Sequence, residues 1–269
     1  MSLQTQMSLR SPDGYEIPNV WHKAHAGAPV GDVVILAHGI FSNKDERGRY
    51  QRLAELHVSH GSDVVRFDFR GHGDHPVPSD GATICGMVLD FWAVLREIRR
   101  LAEERVLVVA SSFGASVLLL LLQMLSVDRP DRIVFLNPVV DYRATLVDAV
   151  LPWGRSMFGA RARQEALETG FATLEEGFRM QAQMLTELEL LKPYEAFPAL
   201  TIPTRVIHGD ADTKVPYGVT REHASKCPVL DFRTIPGGDH GFKPDAHEHQ
   251  AFGLTMDWLY GGATCGFNR

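Results

Sequence analysis

The chain has 269 residues, of which 45% are hydrophobic and 22% charged, so it can bury the core of one large α/β domain, with room for an insertion. Its net charge of −6, and the Glu97, Glu103 and Glu104 interleaved with Arg96, Arg99 and Arg100, leave no basic stripe and exclude a nucleic-acid partner. Its three cysteines, Cys85, Cys227 and Cys265, are odd in number and form no C-x-x-C, so a disulfide framework is disfavoured and a reducing compartment is the default.

Taken in chain order, Met7–Ser11 and Glu16–Ala24 are expected to form a hairpin turning at Pro12-Asp13-Gly14. Met7 is also a second candidate start. Val33–Ala37 is a continuous apolar run, as a strand buried on both faces requires. Arg49–His60 has helical spacing at Tyr50, Leu53, Leu56 and Val58, and Gly61 is placed to end it. Asp63–Phe69 is the next strand. Thr83 is placed to cap a helix over about 85–104, with Met87, Phe91, Val94, Leu95 and Ile98 on one face. A strand at Val106, a helix after Ser112, and strands at Ile133–Leu136, Thr204–Ile207 and Leu230–Ile235 follow, and a helix over about 248–259 closes the chain. Strands alternating with helices imply right-handed crossovers and a mainly parallel sheet covered on both faces.

From about Asp141 to Ala199 the pattern is helical with no strand, and rich in Met, Leu and Phe. The stretch is too long for an ordinary connection. It is expected to be an inserted helical cap over 141–200, dividing the core into 1–140 and 201–269. No N-terminal signal core is present, and the longest apolar run, Ala115–Leu122, falls short of the roughly 20 residues that span a bilayer. A cytoplasmic protein without a membrane span is expected.

The chemistry-bearing segment is Ala110-Ser111-Ser112-Phe113-Gly114, between the Val106 strand and the following helix. A sharp strand-to-helix turn lifts a serine hydroxyl out of the sheet edge, and small residues two places either side let the chain bend. A serine nucleophile needs a base, and the base needs an orienting acid. His208-Gly209-Asp210-Ala211-Asp212 and Gly237-Gly238-Asp239-His240-Gly241-Phe242 each follow a predicted strand, where open α/β sheets place ligands. The order Ser112, Asp212, His240 is the chain order of a hydrolase triad. Asp210 and Asp239 are rival acids.

Together these residues make the chain resemble the α/β-hydrolase superfamily, and within it the branch of cinnamoyl and feruloyl esterases and monoacylglycerol lipases. The resemblance is carried by His38-Gly39-Ile40-Phe41-Ser42-Asn43-Lys44, Arg66-Phe67-Asp68-Phe69-Arg70-Gly71-His72-Gly73, the Ser112 turn, His208 to Pro216, and Asp239-His240. It implies an α/β-hydrolase fold with a mostly parallel eight-stranded sheet, helices on both faces and an inserted helical cap. It implies a triad of Ser112, Asp212 and His240, Asp212 being favoured as the third residue after the glycine, and an oxyanion hole from the backbone N–H groups of Ile40 and Phe113. Ala110 departs from the family's usual glycine. Acyl-protein thioesterases of bacterial luminescence carry alanine there and are also similar to Asn137–Leu146, so the resemblance leaves a thioester donor and a non-water acceptor open.

The expected activity is therefore cleavage of a small-molecule ester or thioester through an acyl-enzyme, with no cofactor. Acyl transfer from a carrier-protein thioester and non-catalytic ligand binding are the alternatives. Phe41, Met157, Phe158, Met180 and Met184 are candidates for an apolar acyl pocket, or else for core. His72-Gly73-Asp74-His75 lacks a second ligand cluster and is not read as a metal site. His247-Glu248-His249 is read as solvated surface, and Cys85 lacks the setting of a nucleophile.

Overall fold

A computed structural model of the chain describes residues 3–25, 27, 30–125 and 128–261; Cys265 lies outside the described residues. In chain order the core begins with β1 (Leu3–Thr5), β2 (Asn19–Lys23), β3 (Val33–Ala37), α1 (Arg49–Ser59), β4 (Asp63–Phe67), α2 (Ile84–Leu101), β5 (Val106–Ser111), α3 (Phe113–Met124) and β6 (Arg132–Leu136). Next come α4 (Pro152–Phe158), α5 (Ala160–Thr169), β7 (Phe171–Thr173), β8 (Arg179–Gln181) and α6 (Ala182–Leu190). The chain closes with β9 (Thr204–Gly209), α7 (Tyr217–Ala224), β10 (Leu230–Ile235) and α8 (Asp245–Tyr260).

Eight strands form one sheet in the order β1-β2-β4-β3-β5-β6-β9-β10. The pairs from β4 to β10 are parallel, and β1 and β2 join antiparallel at one edge. Both faces are buried, so the central strands need no polar alternation. Val33, Ile35 and Ala37 of β3 pack with residues of α2 and α3 on one face. Val34 and Leu36 pack with Tyr50 and Leu53 of α1 and Trp258 of α8 on the other. Among the described residues, no helix is long and apolar enough to cross a membrane.

Four expectations need correction. The first hairpin turns at Pro12-Asp13-Gly14, but residues 7–11 are not a strand beyond an isolated bridge between Arg10 and Glu16. Asn19 bonds both the N–H and the C=O of Met7 with its side chain, at 3.0 and 2.9 Å. The backbone groups at Met7 are thereby satisfied without a strand partner, and the strand that pairs with β2 is Leu3–Thr5. In α1 the buried face is Tyr50, Leu53, Ala54 and His57. Leu56 is 39% exposed because it lies off that i, i+3, i+4, i+7 stripe. The stretch 141–199 is not free of strand: β7 and β8 form an antiparallel pair. Gly170, at φ +89°, ends α5, and Glu176 and Gly177, both with positive φ, reverse the chain between the two strands. Finally, Glu248 is not free surface, because it pairs with Arg49 and Arg52 of α1.

One buried charge cluster ties the first turn to the sheet. Arg70, in the loop after β4, grips Asp90 of α2 through Nε and Nη2 at 3.0 and 2.7 Å, and Asp13 through Nη1 and Nη2 at 2.7 and 3.0 Å. Its guanidinium holds the Asp13 carboxyl down to about 2. Removing one partner of a buried ion pair leaves the other uncompensated. Asp90→Ala is expected to lower unfolding stability by about 3–5 kcal/mol, seen as a fall in the urea midpoint at constant m-value. A loss below about 1 kcal/mol would mean that Asp13 alone suffices for Arg70.

Candidate active site

The C-terminal ends of β3, β5, β9 and β10 converge on one cavity. Ser112 joins β5 directly to α3 with φ 48° and ψ −116°, a conformation that residues with a Cβ seldom adopt. Its N–H donates to Leu136 O at 2.9 Å, and its C=O accepts from Val139 N at 3.0 Å. Both bonds tie the turn to β6 and the loop after it. A Cβ on Gly114 would meet His38 O at 2.4 Å and Ala37 O at 2.7 Å. The small residue after the serine is thus dictated by the end of β3, rather than by the two arms of the turn approaching each other. Ala110 is buried within β5, in register with Ala37 and Phe135.

His38 holds the loop that follows β3. Its Nε2 accepts from Phe69 N at 3.1 Å, so the ring proton resides on Nδ1 and donates to Gly39 O at 2.7 Å. Complete burial pushes its pKa down and keeps it neutral. In a trans peptide the N–H of Ile40 is opposite the C=O of Gly39, so fixing that carbonyl fixes the Ile40 amide. Gly39 is closely fitted to the serine: a Cβ there would lie 3.0 Å from Ser112 Cβ.

Asp212 and His240 meet across the ends of β9 and β10. His240 Nδ1 lies 2.8 Å from Asp212 Oδ2. Asp212 Oδ1 accepts from the N–H groups of Lys214 and Val215 at 2.8 and 2.9 Å. Burial alone would push the Asp212 carboxyl up, but the His240 charge and contacts with two imidazoles outweigh it and hold the pKa below the usual carboxylate range. An ionised Asp212 makes His240 Nδ1 the donor and leaves Nε2 of the neutral ring as an acceptor. Asp210 and Asp239, the rival acids, serve the loops instead. Asp210 accepts from Gly237 N at 2.7 Å, and Asp239 from Lys243 N at 2.7 Å.

Ser112, His240, Ile40 and Phe113 all line a cavity of about 270 Å³. Of the five apolar-pocket candidates, Phe41 lines it. Phe158 stacks behind Phe41 at 6.4 Å, Met180 and Met184 are fully buried in the core, and Met157 packs against that core. The apolar lining comes instead from Val139, Leu146, Trp153 and Val215, together with Phe41 and Phe113. Helical spacing cannot say which side of a buried helix faces a cavity and which faces core.

Three further polar residues take roles that motif reasoning does not give them. Asn137, at φ 44°, donates to the backbone O of Asp239 and His240 at 3.2 and 2.9 Å, and accepts from Gly209 N at 2.9 Å. It thereby ties the ends of β6 and β9 to the His240 loop; an Asn directly after a buried strand, where left-handed backbone is tolerated, is the available signal. His208 is fully buried, with Nε2 3.2 Å from Asp212 Oδ2. Glu46 reaches the cavity wall and accepts from Gly39 N at 3.0 Å.

With this geometry in hand, comparisons place the chain among known proteins. A model of the alpha/beta hydrolase family matches residues 34–252. The structure of Est1E from Butyrivibrio proteoclasticus with bound ferulic acid superposes with a TM-score of 0.77 at 16% identity, over 94% of this chain and 99% of that one. A putative hydrolase from Agrobacterium vitis S4 gives 0.76 at 19% identity, over 96% and 99%. Mouse alpha/beta hydrolase domain-containing protein 10 gives 0.67 at 20% identity, over 96% and 98%. Among curated proteins, none matches this sequence.

The histidines beside the site make stability depend on pH. His72 packs on His38 at 5.1 Å and on Phe178 at 5.0 Å, and burial pushes its pKa down to about 3. The unfolded chain takes up this proton near about pH 6.5. Stability from the neutral ring is complete above that pH and is lost as pH falls toward about 3. Urea titrations between about pH 7 and 5 are expected to show a falling midpoint, and His72→Phe a shallower fall, by up to about 1.4 kcal/mol per pH unit.

Proposed function

The chain belongs to the alpha/beta hydrolase family, and on that premise we propose that it is a serine hydrolase of carboxylic esters or thioesters acting through Ser112, His240 and Asp212. The observation that carries this reading is the 2.8 Å contact of His240 Nδ1 with a buried Asp212, at a cavity that His240 shares with Ser112. His240 Nε2 takes the Ser112 proton as Oγ attacks the carbonyl carbon, and Asp212 stabilises the imidazolium. The carbonyl oxygen becomes an oxyanion held by the N–H groups of Ile40 and Phe113. Collapse expels the leaving group, which takes the proton from His240. Water, activated by the same imidazole, then releases the acid from Ser112.

The apolar wall of Phe41, Val139, Leu146 and Trp153 suits an aromatic or medium-length acyl group. We assign residues 141–200 the role of a cap, because Leu146, Trp153 and Glu175 reach the cavity from that segment. No step in this scheme calls for a cofactor.

A fluorophosphonate probe is expected to label the protein at Ser112 and to fail on Ser112→Ala; persistent labelling overturns the nucleophile assignment. Asp212→Asn is expected to lower kcat by about 10⁴-fold, because the amide stabilises the wrong imidazole tautomer. Mass spectrometry of Ser112 after incubation with an ester and thioester panel identifies the acyl group. Product analysis with added thiols, amines and alcohols decides the acceptor. Transfer product in place of free acid would convert the reading to an acyltransferase, and tight binding with neither acyl-enzyme nor turnover would convert it to a binding protein.

A further inference from the structure

The cavity carries a carboxylate that the triad scheme does not use. Glu46 lies in the loop between β3 and α1, where Glu46 and Arg47 both adopt left-handed backbone, at φ 46° and 57°. Two consecutive residues with a Cβ in that region are unfavourable, and such strain collects at functional sites. A Cβ placed on Gly39 would be 3.5 Å from Ser112 Oγ and 3.8 Å from Glu46 Oε1, so both oxygens border the same small space. Glu46 Oε2 accepts from Gly39 N at 3.0 Å, while Oε1 has no hydrogen-bond partner among the described residues.

The cations around it already have carboxylate partners, although Arg49 and Arg52 share one. Arg49 and Arg52 pair with Glu248, Lys214 pairs with Glu175, and Arg47 pairs with Glu176. Lys243 and Asp245, opposite in sign, both lie exposed at the rim. Glu46 forms no ion pair among the described residues, so its carboxylate faces the cavity with no cation in direct contact, the excess positive charge of the Arg49–Arg52–Glu248 cluster being held on Glu248. The apolar walls around it weaken screening, and an anion placed there acts on any substrate charge within a few ångströms.

We propose that Glu46 is a specificity-determining residue: its free Oε1 selects esters whose leaving group carries a positive charge, and selects against those whose leaving group is anionic. The assignment to the leaving-group side rests on the hydrolase reading above, in which the apolar wall takes the acyl chain. It also gives the strained loop a purpose beyond holding Gly39, since a peptide carbonyl would serve as acceptor for that N–H equally well.

Three acetyl thioesters test this, those of thiocholine, of its uncharged isostere 3,3-dimethylbutanethiol, and of 3-mercaptopropionate. The wild type is expected to favour the cationic over the neutral thioester by about tenfold in kcat/KM, with the anionic one poorest, and to lose part of that preference in high salt. Glu46→Gln keeps an acceptor for Gly39 N–H and removes the charge, so it should bring the cationic-to-neutral ratio close to one and improve the anionic thioester relative to both. Glu46→Ala should lower all three and also abolish the ratio. A ratio that survives Glu46→Gln, or three rates that fall in parallel, overturns the inference and leaves the hydrolase reading standing. A wild type inert toward all three yet labelled at Ser112 by a fluorophosphonate overturns the inference alone, and one that is neither active nor labelled overturns the hydrolase reading with it.

Discussion

The site depends on one close approach, that of the end of β3 to the turn between β5 and α3. Gly114 has no space for a Cβ because the carbonyls of Ala37 and His38 lie where it would be, and a Cβ on Gly39 would press, less severely, on Ser112. Two chain segments meeting with no side chain between them bring the Ile40 amide to the same cavity as Ser112. A methyl group at Gly114 would push the end of β3 away from Ser112, and one at Gly39 would crowd the Ser112 side chain. Parallel pairing of β3 with β5, Ala37 opposite Ala110, sets the depth at which the two segments meet.

Around that contact, the polar groups are held by exchange among strand ends. Asn137 closes the loops after β6, β9 and β10 onto one another through three bonds to backbone. His38 fixes the Gly39 carbonyl and is itself fixed in tautomer by Phe69 N–H. Asp212 has two amides on one oxygen and His240 on the other, so neither oxygen depends on solvent. A site assembled from loops is rigid only if such bonds replace the regular ladder, because loop backbone has no intrinsic partners.

Much of the sheet was legible in advance because a doubly covered parallel strand must be apolar throughout, and runs such as Val33–Ala37 and Val106–Val109 have no other reading at that length. The edge was less legible. β1 is three residues of exposed, mixed character, and its place follows from Asn19 bonding Met7. The β7–β8 pair is likewise too short for periodicity to register. The apolar pocket was only partly legible for a related reason. Met180 and Met184 have the composition of a pocket wall but lie in the core, whereas Leu146 and Trp153 come from a stretch without clear helical phase.

Sequence alone determined the layered α/β class and the order of Ser112, Asp212 and His240, since hydrophobic runs and strand-to-loop junctions are local properties written residue by residue. The preference for Asp212 over Asp210 came only from the family resemblance. The tertiary structure decided which carboxylate faces His240, which tautomer His38 holds, which apolar side chains see the cavity, and that Glu46 stands unpaired beside Ser112. Those outcomes depend on distances between residues far apart in the chain. Such distances arise from sheet register and loop packing, which no single segment encodes.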